Sequence, residues 1–297
     1  DPLQLPSESL KRANALIIRS RTSINEKILQ ASPQLQVVIT CTSGFDHIDL
    51  EKTEKWGITV MHTPTANIES AAQLTLGHMI NLAHQIPKGQ QQVKDGLWKR
   101  DHIVGTELCG RTLGIVGLGR IGSRVAEIAK ALKMELIVFD PYQKDEVFES
   151  LGIARSSYEE VLKTADILTF HVPKTPETKY MLNRSHFEFI HRGVIIINTS
   201  RGSVIHEQDL IQALKMGWIR AVGLDVFEKE PLSTQSPLLT FEQVVGTPHI
   251  GANTDEAFYK ASQLAATKLV RFFGDGSTSD TLPPKAEWYG AATFAKD

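Results

Sequence analysis

Cysteine is nearly missing from this chain, which carries only Cys41 and Cys109 in 297 residues. So sparse a supply excludes a disulfide framework and fits a reducing compartment, where both thiols are expected to serve as small buried hydrophobes. Long apolar runs are missing as well. No stretch approaches the roughly 18 to 20 residues of a membrane span, and the first residues are neither basic nor followed by an apolar core. Neither sign of charge dominates: 32 Lys and Arg stand against 34 Asp and Glu, scattered along the chain, for a formal net charge of -2. The basic stripe that holds nucleic acid is therefore lacking. Among the ten histidines there is no H-E-x-x-H or Cys/His ligand spacing, so no metal site is expected. These absences leave a cytoplasmic globular protein whose partners include neither nucleic acid nor membrane.

The chain is long enough for two compact lobes, each with its own core. From Asn14 onward, NALIIRS, LQVVIT and GITVMHT read as buried strands separated by helix-like stretches. The run from Asn67 to Gly96 reads as helical, broken near Pro87. A second alternating series follows, in which TLGIV, ELIVF, DILTFHV, GVIIIN, AVGLDV and QVVGT supply six strands. Helical stretches such as SRVAEIAKALKM and HEQDLIQALKMG lie between them. This is the pattern of an α/β protein with a doubly wound parallel (Rossmann) sheet, accompanied by a second, smaller flavodoxin-like α/β domain. The smaller domain is expected over residues 1–83 and again from 268, and the nucleotide domain over 84–267. The text after Gly251 is helical to about Phe273, and STSDTLPP reads as a flexible tail. No strand precedes SESLKRANA, so the first strand of the smaller sheet is expected to be missing.

Within TLGIVGLGRIG, Gly117, Gly119 and Gly122 form a G-x-G-x-x-G after an apolar strand and at the start of an amphipathic helix. Glycines there let the backbone turn tightly, approach a pyrophosphate and pack helix on sheet, while the helix N-terminus offers N–H donors to the phosphates. The next strand ends in Asp140, eighteen residues past Gly122. A carboxylate at that place binds the adenosine ribose hydroxyls and repels a 2′-phosphate, which favours NAD over NADP.

Arg201, Glu230 and His249 each follow a predicted strand of the second series, in NTSRGSV, LDVFEKEP and TPHIGANT. Open parallel sheets bind ligands at that edge. Taken singly, each could be a surface ion or a satisfied loop histidine. SRG, DVFEKEP and TPHIGA, in that order after GLGRIG, resemble the D-isomer-specific 2-hydroxyacid dehydrogenases from about Asn14 to Phe273. The resemblance implies that Arg201 binds the substrate carboxylate and polarises the reacting oxygen. It makes His249 the group that exchanges the hydroxyl proton, and Glu230 the carboxylate bonded to that imidazole. The chemistry suits these types, because an imidazole titrates near neutrality, a carboxylate stabilises its protonated form, and a guanidinium forks onto a carboxylate. The same resemblance places Arg120 and Ile121 at the pyrophosphate. His171, Val172 and Pro173 fall at the cofactor pocket, and Thr199, Ser200, Asp225 and Gly251 beside the nicotinamide.

LAHQIP, KDGLWKR and GTELCGRTLGI are similar to the phosphoglycerate dehydrogenases of the family. That likeness implies oxidation of 3-phosphoglycerate to 3-phosphohydroxypyruvate, a step of serine biosynthesis, by a homodimer. Arg19 and Arg21 would then approach the substrate phosphate, where charge-assisted bonds are strong. Ser43 and Gly44, in TSGFDHID, would hold the substrate carboxylate through backbone N–H groups. Gln73 departs from the glutamate usual at its position. A hydroxypyruvate or glyoxylate reductase and an NAD-sensing corepressor of the same fold remain as alternatives. The Gln-His pair of formate dehydrogenases is not matched, since Glu230 stands in its place.

Overall fold

The structure is a computed structural model that describes residues 7–286 and Tyr289. The chain folds into two compact units, Asp1–Ile68 with Ala252–Asp297, and Glu69–Gly251.

In the first unit α1 (Ser7–Arg12), β1 (Ala15–Ile18), α2 (Glu26–Ala31), β2 (Val37–Thr40), α3 (Leu50–Lys55) and β3 (Thr59–His62) alternate, as the apolar runs predicted. The three strands pair in parallel in chain order. Both faces are covered. Val37, Ile39 and Met61 pack with Ala261 and Ala265, whereas Val38 and Val60 pack with Ile18, Ile24 and Leu29 on the other side. That two-residue alternation, apolar on both faces, is why these strands read as continuous hydrophobic runs.

The second unit begins in α4 (Ile68–Ala83) and continues through α5 (Ile86–Lys94), β4 (Thr112–Val116), α6 (Arg120–Ala131), β5 (Glu135–Phe139), α7 (Asp145–Leu151) and α8 (Tyr158–Thr164). It is completed by β6 (Ile167–Phe170), α9 (Arg184–Phe187), β7 (Val194–Asn198), α10 (Glu207–Lys215), β8 (Ile219–Leu224) and β9 (Val244–Gly246). Its six strands are all parallel in the order β5-β4-β6-β7-β8-β9. The chain winds outward from β4 first to β5 and then, in the other direction, to β6. The reversal opens a crevice at the carboxyl ends of β4 and β6. The expected doubly wound sheet is thus present. The break between α4 and α5 falls at Gln85, whose φ is 54°, with Pro87 in the first turn of α5, where its missing N–H is harmless.

The chain passes back to the first unit in α11 (Asp255–Asp275), which supplies Ala261 and Ala265 to the core against β2, and ends in β10 (Thr281–Leu282).

Three expectations are corrected. The boundaries fall at 68/69 and 251/252 rather than 83/84 and 267/268. α4 buries Ala72, Leu76, Met79 and Leu82 in one cluster with Leu113 and Ile115 of β4, so it belongs with the larger sheet. STSDTLPP is not wholly a tail, because Thr281 and Leu282 pair antiparallel with Met61 and Val60. Cys41 is buried as expected, but Cys109 is exposed, and its neighbour Leu108 takes the core position. Among the described residues no helix is long and apolar enough to cross a membrane.

Candidate active site

All the groups expected to carry the chemistry lie in the second unit, on turns that leave the carboxyl ends of its strands. After β4 the chain turns at Gly117, whose φ of 94° favours glycine. A Cβ there would sit 2.7 Å from the His171 carbonyl oxygen, and one on Gly122 would sit 2.0 Å from the Gly117 oxygen. The turn is therefore closed by backbone packed on backbone. Gly119 has nothing within 4 Å of where its Cβ would be, and it caps α6 without a side chain bonded to the helix N–H groups. Open space at an uncapped helix N-terminus fits a pyrophosphate. Arg120 is exposed and Ile121 half-buried on the first turn of that helix.

Asp140 follows β5. Its Oδ2 accepts from Leu118 N at 2.7 Å, and its Oδ1 from Tyr142 N and Gln143 N at 2.9 and 3.0 Å. The carboxylate thus ties the glycine turn to the next loop, and its remaining lone pairs are what a ribose would use. Arg155 clamps the same loop through the Asp140 and Gln143 carbonyls and the Asp145 carboxylate. His171, beyond β6, bonds Thr169 Oγ1 at 3.1 Å, and desolvation pushes its pKa down to about 3. It is a neutral wall of the crevice, with Val172 against Gly117. Pro173 is exposed, and its carbonyl accepts from Thr178 Oγ1.

His249 and Glu230 meet directly. Nδ1 of the imidazole lies 2.7 Å from Oε2 of Glu230, whose Oε1 accepts from Phe227 N at 3.1 Å. The bond to Glu230 raises the imidazole pKa above its ordinary value, against opposition from burial and from the Arg201 charge. Burial alone would raise the Glu230 carboxyl, but the bonds from His249 and Phe227 N–H and the nearby positive charges outweigh it and hold the carboxyl low. Arg201 follows β7 and donates to the Ser200 carbonyl at 2.7 Å, and its charge is felt by both partners. Gly202 explains how the two loops come together. A Cβ on it would lie 1.9 Å from Phe227 C and 2.5 Å from Glu228 N, so only glycine lets the Arg201 turn rest on the Glu230 loop.

Behind these groups stands a buried polar frame. Asn198, at the end of β7, donates to the Arg201 carbonyl and accepts from Ser200 N and Ser200 Oγ. Thr199 Oγ1 meets Thr75 Oγ1 at 2.8 Å. Asp225 is fully buried; its Oδ1 accepts from Thr247 Oγ1 and Ile250 N, and its Oδ2 from Gly251 N at 2.8 Å. These bonds hold the loop on which His249 adopts its positive φ of 53°. Sequence reasoning misses Asn198 and Thr247. A polar residue ending an otherwise apolar strand, as in VIIIN, is the available signal for Asn198.

In the first unit, Arg19 and Ser43 line a small pocket with Asn67, whose Oδ1 is buried without a hydrogen-bond partner among the described residues. The Arg19 guanidinium lies 3.7 Å from the centroid of Phe258, and burial lowers its pKa. Arg21 is exposed. The Ser43 and Gly44 carbonyls accept from His62 Nδ1 and Thr42 Oγ1.

The NAD binding domain of the D-isomer specific 2-hydroxyacid dehydrogenases matches residues 76–251. The chain belongs to this family. It is 41% identical over 265 residues to a D-3-phosphoglycerate dehydrogenase of Methanocaldococcus jannaschii, covering 89% of the chain and 50% of the relative. A rat enzyme of the same name is 40% identical over 261 residues, covering 88% and 49%. This family member thus spans about half the length of the curated relatives it matches. Among solved structures, a D-lactate dehydrogenase from Aquifex aeolicus, complexed with NAD and lactic acid, superposes with a TM-score of 0.82 at 32% identity, covering 92% of this chain and 86% of that one.

Proposed function

We propose that the protein oxidises a D-2-hydroxy acid to the 2-keto acid with NAD, and that its substrate is 3-phosphoglycerate, converted to 3-phosphohydroxypyruvate in serine biosynthesis. The observation that carries the chemistry is the 2.7 Å contact of His249 with Glu230, beside the Arg201 turn and in the same unit as the glycine turn.

NAD, when bound, supplies the hydride acceptor. Gly117, Gly119, Gly122 and the N-terminus of α6 would hold its pyrophosphate, and Asp140 its ribose. His249, neutral at the start, takes the hydroxyl proton as the carbonyl forms, and in reduction it returns that proton. Glu230 keeps the Nδ1 side of the ring occupied and stabilises the imidazolium, so the exchanging nitrogen is Nε2. Arg201 grips the substrate carboxylate and draws electron density from the reacting oxygen.

The phosphorylated substrate is supported by the names of the curated relatives and by two cationic side chains, Arg19 and Arg21, on one strand end. Assembly as a homodimer and work in the cytoplasm belong to the same reading, and sedimentation tests the former. The substrate is tested by steady-state reduction of 3-phosphohydroxypyruvate, hydroxypyruvate and glyoxylate with NADH and with NADPH. Preference for the phosphorylated acid with NADH supports the assignment. Preference for hydroxypyruvate or glyoxylate moves it to a reductase, and tight NADH binding without turnover on any keto acid moves it to a cofactor-sensing partner protein.

A further inference from the structure

One buried titratable side chain of the second unit has no part in the chemistry above. His78, in the middle of α4, is 3% exposed. Its ring is pressed on β8, where a Cβ on Gly223 would meet the His78 ring atoms at 3.1 Å. Its Nε2 lies 3.0 Å from Thr247 Oγ1. Thr247 has one hydroxyl proton, directed to Asp225 Oδ1 at 2.6 Å. The hydroxyl must therefore accept from His78, and the imidazole carries its proton on Nε2. Burial keeps His78 below the ordinary imidazole range, the Asp225 charge opposing this only in part. The neutral ring is thus a fixed donor. The relay runs from α4 through Thr247 to the Asp225 carboxylate, which holds Ile250 N and Gly251 N, the two residues that follow His249 in its loop.

We propose that His78 is a positioning residue, which through Thr247 and Asp225 fixes the left-handed backbone at His249 and so the contact of its ring with Glu230. The consequence for catalysis rests on the function proposed above; the structural coupling does not. A leucine at 78 fills similar space on the apolar face of α4 but cannot donate, which frees the Thr247 hydroxyl to rotate. The loop then samples conformations in which His249 and Glu230 separate.

The test uses the intact protein with labelled histidines. In H78L and T247V the His249 pKa, followed by NMR titration, is expected to fall from its wild-type value. The turnover of 2-keto acid is expected to drop about tenfold with little change in KM, as for loss of one buried hydrogen bond. H78Q, whose amide nitrogen reaches the place of Nε2, should restore both. The double variant H78L/T247V should be no worse than T247V alone, because the valine already breaks the relay that His78 feeds. An unchanged His249 titration in T247V, or additive losses in the double variant, overturns the proposal. Should H78L fail to fold, T247V and H78Q decide the matter by the same titration. A wild-type protein inactive on every keto acid would sink the enzymatic reading, while the titration would still report whether the relay exists.

Discussion

Substituting Glu230 by Gln separates the charge of the His249 partner from its shape. The amide fills the same space and its oxygen can still accept at 2.7 Å from His249, yet it offers no charge to an imidazolium, and its nitrogen cannot accept from Phe227 N as Oε1 does. The hydrogen bond to Glu230 is the largest influence raising the His249 pKa, so E230Q lowers it. In the proposed mechanism, reduction of a keto acid needs a protonated His249. The rate therefore falls as pH rises through the His249 pKa, and in E230Q that fall comes at lower pH. Loss of the oriented charge should remove about 100-fold in kcat, equivalent to about 2.7 kcal/mol of barrier. Stability should change far less. The two side chains are 49% and 37% exposed, so solvent screening limits the pair to about 0.5–1 kcal/mol. The signs are opposite for the two partners. His249 is raised, so its contribution is full below its unfolded value near 6.5 and is lost as pH climbs through the folded one. Glu230 is lowered, so its contribution is full above about 4.5 and is lost as pH drops through the folded one. The stability gap between wild type and E230Q should be widest between those two values. The assay is kcat/KM for NADH-dependent reduction across about pH 5 to 9, with thermal melts at the same pH values. An E230Q profile that breaks at the wild-type pH would refute the reasoning.

Gly202→Ala places a methyl 1.9 Å from Phe227 C, so the melting temperature should fall by the equivalent of about 1–3 kcal/mol and turnover with it; a wild-type melt counts against the close packing of the two loops. Arg201→Lys keeps the charge but loses the fork, so KM for the keto acid should rise about tenfold or more while NADH binding, read by fluorescence, stays constant. Asp140→Ala should weaken NADH binding and narrow the preference for NADH over NADPH by about tenfold; an unaltered ratio would mean that the carboxylate serves only the turn between Leu118 and Gln143.

Much of the architecture was legible because the strands are buried on both faces. VIIIN and ILTF read as mainly apolar runs with one polar residue each, and all five and all four of their residues are buried. The glycine turn was equally plain, since Gly117 and Gly122 stand where no Cβ fits. Arg201, Glu230 and His249 could be named from motif order, but the approach of the Arg201 turn to the Glu230 loop depends on Gly202, whose close packing on Phe227 is a tertiary fact. Other features left no local signal. β10 has two residues and exists only by pairing with β3. α9 has four residues, too few for a helical period to show. The bonds that Asp225 accepts from Thr247, Ile250 and Gly251 come from residues more than twenty positions away, so no local pattern announces them. His78 sits among apolar neighbours in LGHMINL, where a core histidine and a relay donor look alike until the partner is seen.

The most direct measurement of the central claim compares wild type with His249→Ala in single-turnover reduction of the preferred 2-keto acid by bound NADH. With NADH affinity unchanged, the transfer rate should drop by about two or more decades in the variant. A variant that transfers hydride at the wild-type rate would show that His249 does not carry the proton.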